Sequence, residues 1–99
     1  MTRSVVLRPQ ARAEARHARD WYEEQVPGLG AQFVRALDAA VEAIRGRPEA
    51  FAKVYGDYRQ CLMRRFPYSV YYRTADEAIV IIAVHHQRRD PARWQRRAV

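Results

Sequence analysis

Two stretches decide how this chain folds: Tyr68-Ser69-Val70-Tyr71-Tyr72-Arg73-Thr74 and, beyond Ala75-Asp76-Glu77, Ala78-Ile79-Val80-Ile81-Ile82-Ala83-Val84. Successive side chains of an extended strand point to opposite faces, so Tyr68, Val70 and Tyr72 share one face of the first stretch and Ser69, Tyr71 and Arg73 the other. The second is a run of seven apolar residues, rich in β-branched side chains. It is too short to cross a membrane and suits a central strand covered on both faces. Just upstream, Tyr58 to Arg65 has the same extended character, and Phe66-Pro67 is so compact a link that the two segments are predicted to be neighbouring strands.

Toward the N-terminus the period changes. Ala11, Ala15, Ala18 and Tyr22 recur at helical spacing after Pro9, and Phe33, Leu37, Ala40, Val41 and Ile44 form a second stripe after Pro27-Gly28-Leu29-Gly30. The break is short, so the two helices are predicted to be antiparallel, the bulky stripe of the second lying on the alanine face of the first. Gly46 and Pro48 end the pair. Val5-Val6-Leu7 reads as a short first strand whose pairing is not legible. At the far end Asp90 is placed to cap a short helix, Pro91 to start it and Trp94 to fold back on the body. The expected fold is therefore α+β: an antiparallel-rich four-stranded sheet with an N-terminal αα-hairpin packed on it, in the order β-α-α-β-β-β, and a short C-terminal helix. A length of 99 residues predicts a single domain spanning 1–99.

The net charge of +7 calls for an acidic partner. Residues 1–57 hold 9 basic and 8 acidic side chains and residues 58–99 hold 9 and 3, so the excess lies in the second half. There Arg59, Arg64, Arg65, Arg73, Arg88, Arg89, Arg93, Arg96 and Arg97 are interleaved with Tyr58, Tyr68, Tyr71, Tyr72 and Trp94. Such a mixture can hold phosphates and stack bases, or clasp an acidic peptide. The plainer alternative is a soluble sheet with charged outward positions and a basic tail. Lys53 is the only lysine among 18 basic residues, a bias that a GC-rich genome also produces.

Other chemistry is poorly supplied. Cys61 is alone, so neither an internal disulfide nor a cysteine-built zinc site is expected, and no metal or cofactor is predicted. His17 sits on the solvent side of a predicted helix, and His85 and His86, adjacent on a strand, point to opposite faces. Glu23-Glu24 and Asp76-Glu77 read as solvated surface charges. No nucleophile elbow, phosphate-cradling glycine loop or dinucleotide fingerprint occurs. The N-terminal apolar run is too short for a signal peptide, and a reducing cytoplasm with no membrane partner is expected.

Several segments together resemble the RelE/ParE superfamily of toxins from type II toxin-antitoxin systems, over nearly the whole chain. They are Trp21-Tyr22-Glu23-Glu24 before Gly28-Leu29-Gly30 and Phe33, the stop at Arg47-Pro48, Arg64-Arg65-Phe66-Pro67-Tyr68-Ser69-Val70-Tyr71-Tyr72, and Ala83-Val84-His85-His86-Gln87-Arg88-Arg89-Asp90-Pro91-Ala92-Arg93-Trp94. The Phe-Pro-Tyr strand and the His-x-x-Arg-Arg-x-Pro-x-x-Trp ending are similar to the ParE-like side. The resemblance implies a toxin bound and neutralised by a cognate antitoxin through an acidic, partly disordered C-terminal segment. Arg59, Arg64, Arg65, Arg73, Arg88, Arg89 and Trp94 are the expected partner-binding residues. ParE-like members of the superfamily inhibit DNA gyrase, whereas RelE-like members cleave mRNA on the ribosome. Ribonuclease members commonly carry an arginine where this chain has Tyr68, and end in a catalytic Tyr or His where it runs into Gln87-Arg88-Arg89, so no catalytic residue is assigned. Were it a ribonuclease, Arg65, Tyr68, His85 and Arg88 would be the candidates. A third alternative is a non-toxic nucleic-acid-binding module.

Overall fold

In the computed structural model, which describes residues 3–98, the two long helices are α1 (Pro9–Gln25) and α2 (Leu29–Gly46). Pro9 occupies the first turn of α1, where a missing N–H costs nothing. Ala11 and Ala18 are buried beneath it, and Phe33, Leu37, Ala40 and Ile44 of α2 are buried with them in one core. The small alanine face lets α2 come close, as the two stripes predict. At the turn, Gly28 takes a left-handed φ of 91°. Glu23 is not the free surface charge expected of it: its carboxylate accepts the N–H of Gly28 at 2.9 Å and of Gly30 at 3.0 Å. It thus serves the unpaired donors and the positive end of the dipole at the start of α2.

The strands are β1 (Ser4–Leu7), β2 (Lys53–Tyr55), β3 (Tyr58–Leu62), β4 (Tyr68–Thr74) and β5 (Ala78–His86). They form one sheet in the order β1-β5-β4-β3-β2. The four-stranded, antiparallel-rich expectation is corrected on two counts: there are five strands, and the sheet is mixed, because β1 runs parallel to β5 with Val5 opposite Ile79 and Leu7 opposite Ile81. The added strand, β2, pairs antiparallel with β3 across Gly56-Asp57. All its residues are exposed, so no alternation of burial marked it. β3 ends at Leu62, short of Arg65, which leaves Met63 to Pro67 as the connection to β4.

β5 is covered on both faces, as its apolar run requires, but through an irregularity. The register with β4 slips so that Tyr71 faces Ala83 while Tyr72 faces Ile81, making Ile82 the extra residue of a β-bulge. Ile79, Ile81 and Val84 therefore join the helix-side core, whereas Ile82 and Ala83 pack with Tyr71 and Trp94 on the far side. That far side is closed by α3 (Ala92–Gln95). Asp90 does cap it, its Oδ1 accepting the Ala92 N–H at 3.0 Å. Trp94 stacks on Tyr71 with ring centroids 4.0 Å apart.

Beyond Ile81 no described strand lies beside the outer edge of β5, and side chains meet its backbone instead. Glu14 Oε1 accepts the Val84 N–H at 3.0 Å, and Arg97 Nη1 donates to the Ile82 carbonyl at 3.2 Å. The two side chains also grip each other, with guanidinium-to-carboxylate distances of 3.0 and 2.8 Å. This fork joins α1, the bulge and the C-terminal segment in one polar network.

Candidate functional site: a cationic, aromatic cleft

α1 and the far ends of β4 and β5 enclose a cleft of about 470 Å³. His17, Trp21 and Tyr22 line it from the helix, and Pro67, Tyr68, His86, Arg88 and Arg89 from the sheet. His17 and Trp21 are four residues apart and so share one face of α1. Trp21 is 52% exposed, which is unusual for so large an apolar ring. It does not lie loose: its ring meets the edge of Tyr22 at 5.1 Å, and Tyr22 stacks on the buried Phe33 at 5.5 Å. The aromatic wall is thereby rooted in the helix-side core.

On the opposite wall Tyr68 packs edge-on against His86 at 5.0 Å. The chain then turns sharply: the Gln87 N–H donates to the Pro67 carbonyl at 2.8 Å, and the Arg88 N–H donates to His86 Nδ1 at 3.0 Å. An accepting Nδ1 places the proton of a neutral His86 on Nε2. These bonds hold Arg88 and Arg89 over the mouth of the cleft. Burial pushes both the Tyr22 and Tyr68 phenols up; Arg89 pulls Tyr68 partly back while Glu14 pushes it up, and Tyr68 itself adds to the rise at Tyr22. Both phenols stay protonated at neutral pH and offer hydrogen bonds rather than charge. A shallower depression lined by Glu14, His17, Tyr68, Val84 and Arg89 extends the cleft toward the open edge of β5. Ring faces beside two guanidinium groups suit a segment that brings both apolar side chains and carboxylates.

The residues predicted from sequence to bind a partner are not all brought together. Arg88 and Arg89 lie at the cleft. Arg64 and Arg65 are exposed on the β3–β4 connection, Arg65 with a left-handed φ of 71°. Arg73 is on the far face of the sheet, beside Arg8, Tyr58 and Arg97. Two residues hold structural positions instead of offering a free contact. Arg59 Nη1 donates to the carbonyls of Glu49 at 3.2 Å and Phe51 at 2.6 Å, tying down the segment that leads into β2. Trp94 is 1% exposed, being the anchor of the far-side core.

The ribonuclease candidates are likewise divided by the sheet. Tyr68 and Arg88 line the cleft, but His85 lies on the other face, buried against Tyr71. The opposite orientation of His85 and His86 is thus as the sequence predicts. Among the described residues no three His, Cys, Asp or Glu side chains come together as metal ligands would. The cleft residues that sequence reasoning passed over are His17, Trp21, Tyr22 and His86. The i, i+4 spacing of His17 and Trp21 was the available signal.

Fold and site define a small α+β protein with a helical hairpin on one face of a mixed sheet and a basic, aromatic cleft at its edge. Residues 5–91 match the profile of the family described as ParE toxin of type II toxin-antitoxin system, parDE. Toxin ParE2 of Mycobacterium tuberculosis, in strains CDC 1551 / Oshkosh and ATCC 25618 / H37Rv, is 34% identical over 92 residues, covering 92% of this chain and 88% of the relative. The chain belongs to the ParE toxin family. A solved structure described as the chromosomal ParDE TA system from P. aeruginosa has the same fold, with a TM-score of 0.76 at 18% identity over 86% of this chain and 96% of that one. No described helix is long and apolar enough to cross a membrane.

Proposed function

We propose that this ParE-type toxin works as a single cytoplasmic domain, arrests growth by binding DNA gyrase, and is held inactive by a cognate antitoxin whose acidic C-terminal segment seats in the cleft. The observation that carries this reading is the half-exposed Trp21, braced by Tyr22 and faced by Tyr68, Arg88 and Arg89. An amphipathic acidic segment needs an apolar anchor site ringed by cations, and interface energy concentrates on Trp, Tyr and Arg. A protein whose effect rests on binding needs no assembled acid-base set. That agrees with His85 lying across the sheet from Tyr68.

A supercoiling assay with purified protein tests the target. Inhibition of gyrase that is relieved by stoichiometric antitoxin is the expected result. Normal supercoiling together with codon-positioned mRNA cuts in toxin-expressing cells would replace this reading with the ribonuclease one.

A further inference from the structure

Two depressions adjoin and share Arg8 and Arg97, one on the sheet face that carries Arg73 and the other between the start of α1 and the α3 segment. The first is walled by Arg73, Tyr58, Val80 and Ile82, and the second by Arg93, Arg96 and Gln10. Among these described lining residues there is no carboxylate. Arg97 is committed to Glu14, and the ion pairs of the described residues leave Arg8, Arg73, Arg93 and Arg96 without an acidic partner. Four uncompensated guanidinium groups thus surround one continuous basin whose outer part is lined by polar side chains alone. Arginine's planar fork matches phosphate oxygens in pairs.

We propose that this arginine basin is a binding site for the phosphodiester backbone of duplex DNA, separate from the antitoxin cleft. The two surfaces ask for different ligands. An amphipathic peptide gains most of its affinity from apolar anchors, which the cleft provides through Trp21, Tyr22 and Tyr68. The outer basin provides Arg8, Arg93, Arg96 and Arg97 with only Gln10 between them. A ligand recognised by charge alone, along a line of regularly spaced phosphates, fits it better, because counterion release from the nucleic acid supplies the affinity without apolar contact. None of the residues that line the basin lines the antitoxin cleft, so DNA and antitoxin can be held at once. For a protein that acts on a DNA-handling enzyme, such a site adds a direct hold on the nucleic acid.

The test is fluorescence anisotropy of a labelled duplex of about 20 base pairs titrated with full-length protein across a range of KCl concentrations. Arg8→Gln/Arg93→Gln/Arg96→Gln leaves the Arg97–Glu14 fork intact and changes only side chains on the surface. It is expected to weaken binding at least about tenfold near 0.1 M salt and to flatten the log K against log salt slope by about 0.9 for each phosphate no longer neutralised. Arg88→Gln/Arg89→Gln at the cleft is expected to leave duplex binding unchanged. Equal slopes for wild type and the basin variant would overturn the proposal. So would weakened duplex binding only in the cleft variant, or displacement of the duplex by a poly-glutamate peptide at equal charge concentration, which would make the basin a peptide site. Because no antitoxin or gyrase enters the assay, its outcome is independent of the function proposed above.

Discussion

His85 is the residue whose environment and chemistry are most at odds. It is 3% exposed, and neither ring nitrogen finds a hydrogen-bond partner among the described residues. Burial pushes its imidazole below the usual value near 6.5, and Arg97 adds to the fall while Glu14 and backbone contacts near Arg89 and Asp90 oppose it. A histidine whose proton affinity is lowered by folding binds more protons in the unfolded chain. Its contribution is fully present above about pH 6.5 and is lost as the pH drops through the depressed folded value. The melting temperature is therefore expected to fall between pH 7.5 and 5.5 by more in the wild type than in His85→Phe, the pH points being about one unit either side of the free imidazole. Parallel pH profiles in a calorimetric series would show that His85 does not titrate against the fold. Tyr72 differs because its buried hydroxyl is satisfied: it donates to the Pro48 carbonyl at 2.6 Å, and burial lifts the phenol to about 12. Tyr72→Phe removes that bond and leaves the carbonyl of Pro48 without it, which should cost about 1–2 kcal/mol in urea denaturation. A difference below about 0.3 kcal/mol would mean that water replaces the hydroxyl.

Among the elements, the junction of α1 and α2 is the least forgiving. A Cβ at Gly30 would lie 2.8 Å from the Arg19 carbonyl oxygen and 2.9 Å from Glu23 Oε1. Alanine normally stabilises a helix relative to glycine by up to about 1 kcal/mol, but the backbone oxygen cannot swing away. Overpacking prevails, and Gly30→Ala should lose about 1–2 kcal/mol, a drop of roughly 4–16 °C for a domain this size. A raised melting temperature would show that the helices can part without cost. The Glu14–Arg97 fork is the corresponding device on the sheet, with both side chains less than one-fifth exposed. Arg97→Ala leaves Glu14 mostly buried and unpaired, and about 2–3 kcal/mol of stability should go with it, somewhat less than for a fully buried pair. Hydrogen exchange is the informative readout, since the bulge at Ile82 and the C-terminal segment should lose protection together while α2 keeps its own.

The same elements show what the sequence made legible. Periodicity marked both helices, because one face of each is buried and the other is not. Richness in Tyr and Val marked β4, whose Ser69 to Tyr72 are all buried, and an unbroken apolar run marked β5, since its two faces are both covered. β2 escaped, since Lys53, Val54 and Tyr55 are all exposed and periodicity carries no signal where nothing is buried. Its trace was the two-residue Gly56-Asp57 turn, a hairpin signal in itself. The parallel pairing of β1 had no local trace, because it depends on a partner far along the chain, Val5 lying opposite Ile79.

At the scale of the molecule, the second-half charge is real but divided by the sheet. Sequence groups these residues as one partner-binding set; folding places Arg88 and Arg89 beside the α1 aromatics, Arg73 in the far-side depression, Arg59 in a structural latch and Trp94 in a core. The cleft was half legible. Tyr68, Arg88 and Arg89 of its sheet wall lay among the residues that composition picked out, whereas its helix wall, His17, Trp21 and Tyr22, came from the acid-balanced half of the chain. Tertiary proximity of α1 to the end of β5 made one site of them. That the antitoxin is held in this cleft is the central claim. Titration calorimetry of the cognate antitoxin against wild type, Trp21→Ala and Arg88→Gln/Arg89→Gln tests it directly. Each cleft variant is predicted to bind at least about tenfold more weakly, about 1.4 kcal/mol, while Arg93→Gln/Arg96→Gln binds like the wild type. Wild-type affinity in both cleft variants, with their melting temperatures unchanged, would contradict it.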